Sequence, residues 1–131
     1  MAHGVRSGLE DTICQELTEL GVDYKYEELK IKYTQPSKVR TYTPDIVLPN
    51  GIIVETKGRF TAADRVKHLL VKQQYPKLDL RFVFTRSATR LSKTSNTTYA
   101  DWCIKHGFQY ADKLIPIAWL REKGPKWLPK S

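Results

Sequence analysis

Asp45, Glu55 and Lys57 stand out in the stretch Thr41 to Gly58, TYTPDIVLPNGIIVETKG, which otherwise reads as two apolar β-strands joined at Pro49-Asn50-Gly51. Two carboxylates and an ammonium on one patch suit a hard divalent cation. Mg²⁺ prefers carboxylate oxygens and keeps several waters, while a nearby lysine can orient or help deprotonate an attacking water. That is the chemistry of phosphodiester hydrolysis. A plainer reading also fits these residue types: a solvated hairpin face on which a carboxylate pairs with a lysine and adds little stability.

The turn decides whether the three side chains can meet. A two-residue Asn50-Gly51 loop would pair Asp45 with Thr56 and point Asp45 away from Glu55 and Lys57. A three-residue loop fits the chemistry better. Pro49 has the φ of the first central position of a type I turn, Asn50 follows, and Gly51 supplies the left-handed residue of a bulge. Asp45 then faces Glu55, with Lys57 on the same face and roughly 6.6 Å further along at about 3.3 Å per residue.

The elements that must carry this hairpin can be read on either side of it. Residues 7 to 20 have the period of an amphipathic helix, with Leu9, Ile13, Leu17 and Leu20 on one stripe and Gly21 placed to end it. Ser7 and Glu10 match the S-x-x-E capping box, so Glu10 has an ordinary role open to it at the helix start. Val22 to Tyr33 reads as a strand with an irregularity near Glu27-Glu28, its tyrosines covering a core. Residues 34 to 40 contain Gln35-Pro36-Ser37-Lys38 and read as an extended, partly exposed connector rather than a tight turn.

Beyond the hairpin, residues 61 to 74 read as a helix with Val66, Leu69 and Leu70 inward and Arg65, Lys67 and Lys72 outward, ended by Tyr75-Pro76. Leu80 to Thr85 reads as a buried strand, Arg86 to Tyr99 as a Ser/Thr/Lys-rich loop, and Tyr99 to Lys105 as a short helix containing Trp102. Leu114 to Leu120 is expected to pack down the edge of the domain, and the tail after Arg121 to fray.

Net charge is +8 over 131 residues, a length that fits a single domain spanning 1–131. The charge is local: residues 59 to 93 carry +7, while residues 1 to 58 total −2 and residues 94 to 131 total +3. A polyanionic partner is expected, and Arg59, Arg65, Lys67, Lys72, Arg86, Arg90 and Lys93 are the candidate phosphate contacts. Cys14 and Cys103 have no metal-type spacing, so neither a zinc site nor a disulfide framework is indicated. No apolar run approaches membrane-spanning length, and the first residues lack the hydrophobic segment of a signal peptide. The expectation is a cytoplasmic protein without a membrane partner.

Pro44-Asp45, nine intervening residues and then Glu55-Thr56-Lys57 resemble the PD-(D/E)-x-K nuclease signature, which alone is weak. The wider wording is specific, and it is similar to the phage endonuclease I group of Holliday-junction resolvases. The likeness runs from Arg6-Ser7-Gly8-Leu9-Glu10 through Glu27-Glu28 and the hairpin to Lys105-His106-Gly107 and Ala111-Asp112-Lys113-Leu114-Ile115-Pro116. It implies an α/β fold of the restriction-endonuclease-like kind, with a mixed central β-sheet flanked by helices. It further implies an intertwined, segment-swapped homodimer in which 34–40 bridges two lobes.

The implied activity is metal-dependent cleavage of four-way junctions and other branched DNA in recombination, inside the host cell if the chain is phage-encoded. Asp45, Glu55 and Glu10 would be catalytic residues and metal ligands, with the backbone carbonyl of Thr56 a further ligand. Lys57 would position the attacking water, and two Mg²⁺ or Mn²⁺ ions would serve each site. Two other readings compete: a basic DNA-binding module without catalysis, and a sequence-specific restriction-type nuclease. The second has little chain left for a base-reading element.

Overall fold

The computed structural model describes residues 8–36 and 38–129. Its centre is a five-stranded mixed sheet built around β5 (Ile53–Lys57). On one side β5 pairs antiparallel with β4 (Ile46–Val47), which pairs antiparallel with β1 (Lys25–Tyr26). On the other it runs parallel to β6 (Leu80–Phe84), and β6 parallel to β7 (Tyr110–Asp112). A hairpin of β2 (Ile31–Gln35) and β3 (Lys38–Tyr42) forms a separate two-stranded sheet.

Parallel neighbours need crossovers, supplied by α2 (Ala62–Gln74) between β5 and β6 and α3 (Tyr99–His106) between β6 and β7. Both pack on one face of the sheet, where Val71, Tyr99, Trp102 and Cys103 bury Phe82 and Phe84 of β6, together with Phe60 and Tyr42. α1 (Gly8–Glu19) and α4 (Ile117–Arg121) cover the other face, setting Ile13, Cys14, Leu17 and Trp119 against Ile46, Val54 and Val83. The alternation of Phe82, Val83 and Phe84 between the two clusters is the two-residue period of a strand buried on both sides.

The loop between β4 and β5 takes the three-residue form. Ile46 faces Val54 and Val47 faces Ile53, a register that continues to Leu48 against Ile52 and, outward, to Asp45 against Glu55. Gly51 holds φ at +89°, and a Cβ there would come within 2.8 Å of the Lys126 carbonyl oxygen, so glycine answers both to the turn and to the tail packed on it. α2 starts on a complete capping box, Thr61 Oγ1 accepting from Asp64 N and Asp64 Oδ2 from Thr61 N.

Several sequence expectations are corrected. The capping box read for Ser7 and Glu10 is not among them, since Ser7 lies outside the described residues. Leu20 is exposed, because the chain has left the helix and reaches Gly21 in a left-handed conformation. Val66 is also exposed, since the inward line of α2 runs through His68 and Val71, with Leu69 and Leu70 half-buried beside it. Val22 to Tyr33 is not one strand: it breaks at Glu27, whose φ of +52° turns the chain from β1 toward β2 in the other sheet.

Within this chain residues 34–40 form the end of the β2–β3 hairpin, where Thr34 pairs with Val39 and Gln35 with Lys38; Ser37 itself lies outside the described residues. Over its described residues, to Pro129, the tail is pinned rather than frayed. Buried Arg81 binds Asp79 and Glu122 as a pair of carboxylates and lies over the Trp119 ring, while Lys126 N donates to Asn50 O at 2.7 Å. An arginine inside an apolar strand has to bring its counter-charges with it, and one of them comes from the tail. Strand β7 was not foreseen at all.

Candidate active site

Asp45 lies where β4 begins, with Glu55 facing it on β5. Glu55 is 3% exposed, and both its oxygens are engaged. Oε2 accepts the Tyr42 hydroxyl at 2.7 Å and the Asp45 backbone N–H at 3.3 Å; Oε1 faces Lys57 Nζ at 3.7 Å and His68 Nε2 at 3.8 Å. Burial pushes the Glu55 pKa up, but His68, Lys57 and Tyr42 together outweigh it and hold the group below the ordinary carboxylate value. Glu55 is therefore the charged member of the carboxylate pair. Its neighbour Tyr42, wholly buried against that charge, is raised well above the usual phenol value.

Asp45 behaves in the opposite way. Its Oδ2 accepts from Thr56 N at 2.9 Å and Thr56 Oγ1 at 3.0 Å. Those bonds do not offset burial and the repulsion of Glu55 and Glu10, which drive its pKa up to about 7. Two carboxylates thus sit side by side with their titrations pushed apart.

Glu10 reaches the same place from α1, and Glu27 from the bend after β1, where its own N–H donates to Asp45 O at 2.9 Å. One carboxylate oxygen from each of Glu10, Glu27 and Asp45 lies within 4.8 Å of the other two. The Tyr26 hydroxyl donates to Glu10 Oε2 at 3.1 Å, and burial followed by the Glu27 and Glu10 charges raises the Tyr26 pKa. Three acids gathered at this spacing repel one another, and Glu10 adds to the burial and the Glu55 charge that raise the Asp45 pKa. A hard cation would remove that repulsion, so the donor set fits a divalent metal.

The sequence-predicted residues are brought together: Asp45, Glu55 and Lys57 through the hairpin register, and Glu10 through the packing of α1. Glu27 was legible only as an irregularity in a strand, since nothing in a one-dimensional pattern says that a left-handed residue will aim a carboxylate at Asp45. Asp64 was also missed. Its Oδ1 lies 3.4 Å from Lys57 Nζ, so the lysine sits between Asp64 and Glu55. Burial opposes the Asp64 charge, but Lys57 and Thr61 hold its pKa below the ordinary value.

The basic residues divide into two groups. Arg59, Arg86, Arg90 and Lys93 are exposed. The three cations of α2 do not simply point outward. Arg65 donates to Phe60 O at 2.7 Å, Lys67 lies over the Tyr42 ring, and Lys72 reaches Gly107 O and the Phe108 ring. A groove of about 600 Å³ between the β2–β3 hairpin and the start of α2 is lined by Arg40, Thr41, Asp64 and Lys67, on the side where Asp64 meets Lys57.

Comparison with known proteins adds what the geometry leaves open. The family model for phage endonuclease I matches residues 1–130. Endonuclease I of Escherichia phage T7 is 52% identical over 117 residues, covering 89% of this chain and 78% of that protein. Endodeoxyribonuclease 1 of Enterobacteria phage T3 is 50% identical over 117 residues, covering 89% of this chain and 77% of that one.

Proposed function

The chain belongs to the phage endonuclease I family, and on that premise we propose that it is a divalent-metal-dependent enzyme that resolves four-way junctions and other branched DNA. It is a DNA endonuclease. The metal requirement rests chiefly on one observation, the convergence of Glu10, Glu27 and Asp45 beside an ion-paired lysine. Among the described residues no helix is long and apolar enough to cross a membrane. We place the reaction in the host cytoplasm.

Glu10 and Asp45 would hold Mg²⁺ or Mn²⁺, with Glu27 beside them, the Thr56 carbonyl a further donor, and two ions per site. Glu55, which stands next to that group, would join it through Oε1, the oxygen whose contacts are the longer ones. Bound there, the cations would supply charge neutralisation at the scissile phosphate and would acidify an attacking water. The protein's own part is positioning. Thr56 fixes Asp45 through two hydrogen bonds to Oδ2, Tyr42 fixes Glu55, and Lys57 orients the water that would attack phosphorus in line with the departing sugar oxygen. Arg59, Arg86, Arg90 and Lys93 bind phosphates along the branches, and Arg65, Lys67 and Lys72 chiefly hold the α2 surface in shape.

The proposed assembly is an intertwined homodimer of a restriction-endonuclease-like domain spanning 1–131. Within this chain, α1 lies on one side of the β2–β3 hairpin in sequence and the Asp45-Glu55-Lys57 group on the other. Opening the hairpin at 34–40 would let α1 of one subunit bring Glu10 to Asp45 of its partner without altering the contacts around either residue.

The test is incubation of the purified protein with a strand-labelled four-way junction, and separately with a linear duplex of the same sequence, in Mg²⁺ or in chelator. The proposal expects cuts near the branch in Mg²⁺, far slower cutting of the duplex, and none in chelator. Binding without cleavage in Mg²⁺ would establish the non-catalytic module instead, and equal cutting of duplex at one sequence would establish a restriction-type nuclease.

A further inference from the structure

Asp64 and His68 have no part in the reaction as described, yet each touches a side chain that does. Glu55 and Lys57 stand two residues apart on β5, roughly 6.6 Å at about 3.3 Å per residue. Asp64 and His68 stand one turn apart on α2, roughly 6 Å at about 1.5 Å per residue. The two spacings match, so a single helical face sets one side chain against each of the two on the strand. Asp64 Oδ1 meets Lys57 Nζ at 3.4 Å, and His68 Nε2 meets Glu55 Oε1 at 3.8 Å. We infer that Asp64 and His68 are positioning residues, Asp64 for Lys57 and His68 for Glu55, and that α2 is docked on β5 to hold the reactive pair in register.

Both residues are themselves held. The capping box fixes the Asp64 carboxylate, because Oδ2 accepts Thr61 N at 3.1 Å and leaves Oδ1 turned to the lysine. Lys57 therefore ends between two carboxylates, and the freedom of its four-carbon stem is reduced to the gap between them. His68 is wholly buried. Its Nδ1 donates to the Asp64 carbonyl at 2.7 Å, and its ring is packed edge-on against Tyr42 and Phe82 at 5.3 and 5.0 Å between centroids.

Its Nε2 has no hydrogen-bond partner and is aimed at Glu55. An imidazole nitrogen buried without a partner is unfavourable in a core, where a leucine would pack with no polar atom to desolvate. Packing alone does not explain a histidine here. What the ring does is hold Tyr42, whose hydroxyl binds Oε2 of Glu55, while its Nδ1 ties it to the Asp64 carbonyl, so that it braces the carboxylate through its neighbours and lies 3.8 Å from Oε1.

The inference rests on the catalytic reading of Lys57 and Glu55, so its test carries Lys57→Ala as a reference. The full chain and its Asp64→Asn, His68→Leu, His68→Gln and Lys57→Ala variants are compared by three measurements: single-turnover cleavage of a four-way junction in Mg²⁺, Mn²⁺ affinity by calorimetry, and junction affinity in chelator. Asp64→Asn keeps an oxygen for the Thr61 cap and loses the ion pair. It should slow the cleavage step about 10- to 100-fold while junction and Mn²⁺ affinities stay within about twofold. His68→Leu should weaken Mn²⁺ binding about tenfold through the loosened Glu55, and His68→Gln, which places an amide N–H donor beside that carboxylate, should recover part of it.

Parental cleavage by Asp64→Asn while Lys57→Ala is inactive overturns this inference and leaves the catalytic reading standing. So does a loss of rate that only tracks a lowered melting temperature. Parental cleavage by Lys57→Ala overturns the catalytic reading itself. Parental Mn²⁺ affinity in His68→Leu overturns the His68 assignment, and should that variant not fold, parental affinity and cleavage in His68→Gln do so.

Discussion

Replacing Asp45 by asparagine should stabilise the protein in the absence of metal, and by an amount that depends on pH. The folded chain raises the Asp45 pKa from the ordinary 3.8 to about 7, so the ionised carboxylate is disfavoured in the fold. For an acid whose folded value lies above its unfolded value, the penalty is absent below the lower value. It grows as pH rises through the window between them, and it is complete above the upper one. A displacement of this size corresponds to about 4 kcal/mol as a ceiling. Asp45 is only partly buried, and asparagine offers a weaker acceptor to Thr56 N and Oγ1, so we expect a net gain of about 1–3 kcal/mol at pH 8. At pH 4.5, just above the lower value, only about 1 kcal/mol of that ceiling has developed, and the gain should shrink to a small fraction of its size at pH 8. The assay is urea denaturation in chelator at the two pH values. A variant equally stable or less stable than the parent at pH 8, or a difference of the same size at pH 4.5, would refute the view that Asp45 is strained by its neighbours.

Three further outcomes are expected. Replacing the exposed pair Arg86 and Arg90 by alanine should leave the melting temperature unchanged but flatten the log–log salt dependence of junction binding by about 2, which equilibrium titrations at several salt concentrations would detect. Arg81→Ala should destabilise by about 2–3 kcal/mol, below the usual cost of breaking a fully buried ion pair because Asp79 and Glu122 are half-exposed, and should open residues 122–129 to proteolysis. If α1 is exchanged between subunits, chains carrying Glu10→Gln and chains carrying Lys57→Ala, unfolded and refolded together, should nick junctions although neither parent does. An inactive mixture, when wild type refolded with the double variant does nick, would place both residues in one chain's site.

The hairpin was legible because its turn chemistry is local. Pro49, Asn50 and Gly51 specify three loop residues, and the register that sets Asp45 against Glu55 follows from that count. The end of α2 was legible for the same reason, Tyr75-Pro76 being a local stop. Contacts between distant segments were not. Glu27 joins the carboxylates only because its backbone turns left-handed after two residues of β1, and β7 is three residues whose pattern means nothing until β6 is beside it. On α2 the hydrophobic period pointed to Val66, whereas the buried line runs through His68, a polar residue that such a reading assigns to the outside. The tail looked loose because its lysines and prolines carry no period, yet Glu122 answers a charge buried 41 residues away at Arg81.

The central claim is that Glu10, Glu27 and Asp45 together hold a divalent cation beside Lys57. Its most direct test is an anomalous difference map from crystals of the protein grown with Mn²⁺, compared with the same map for Asp45→Asn. The account predicts a strong peak among the three carboxylates in the parent and its loss in the variant. A map with no peak there, or one whose peak persists unchanged when Asp45 is replaced, would contradict it.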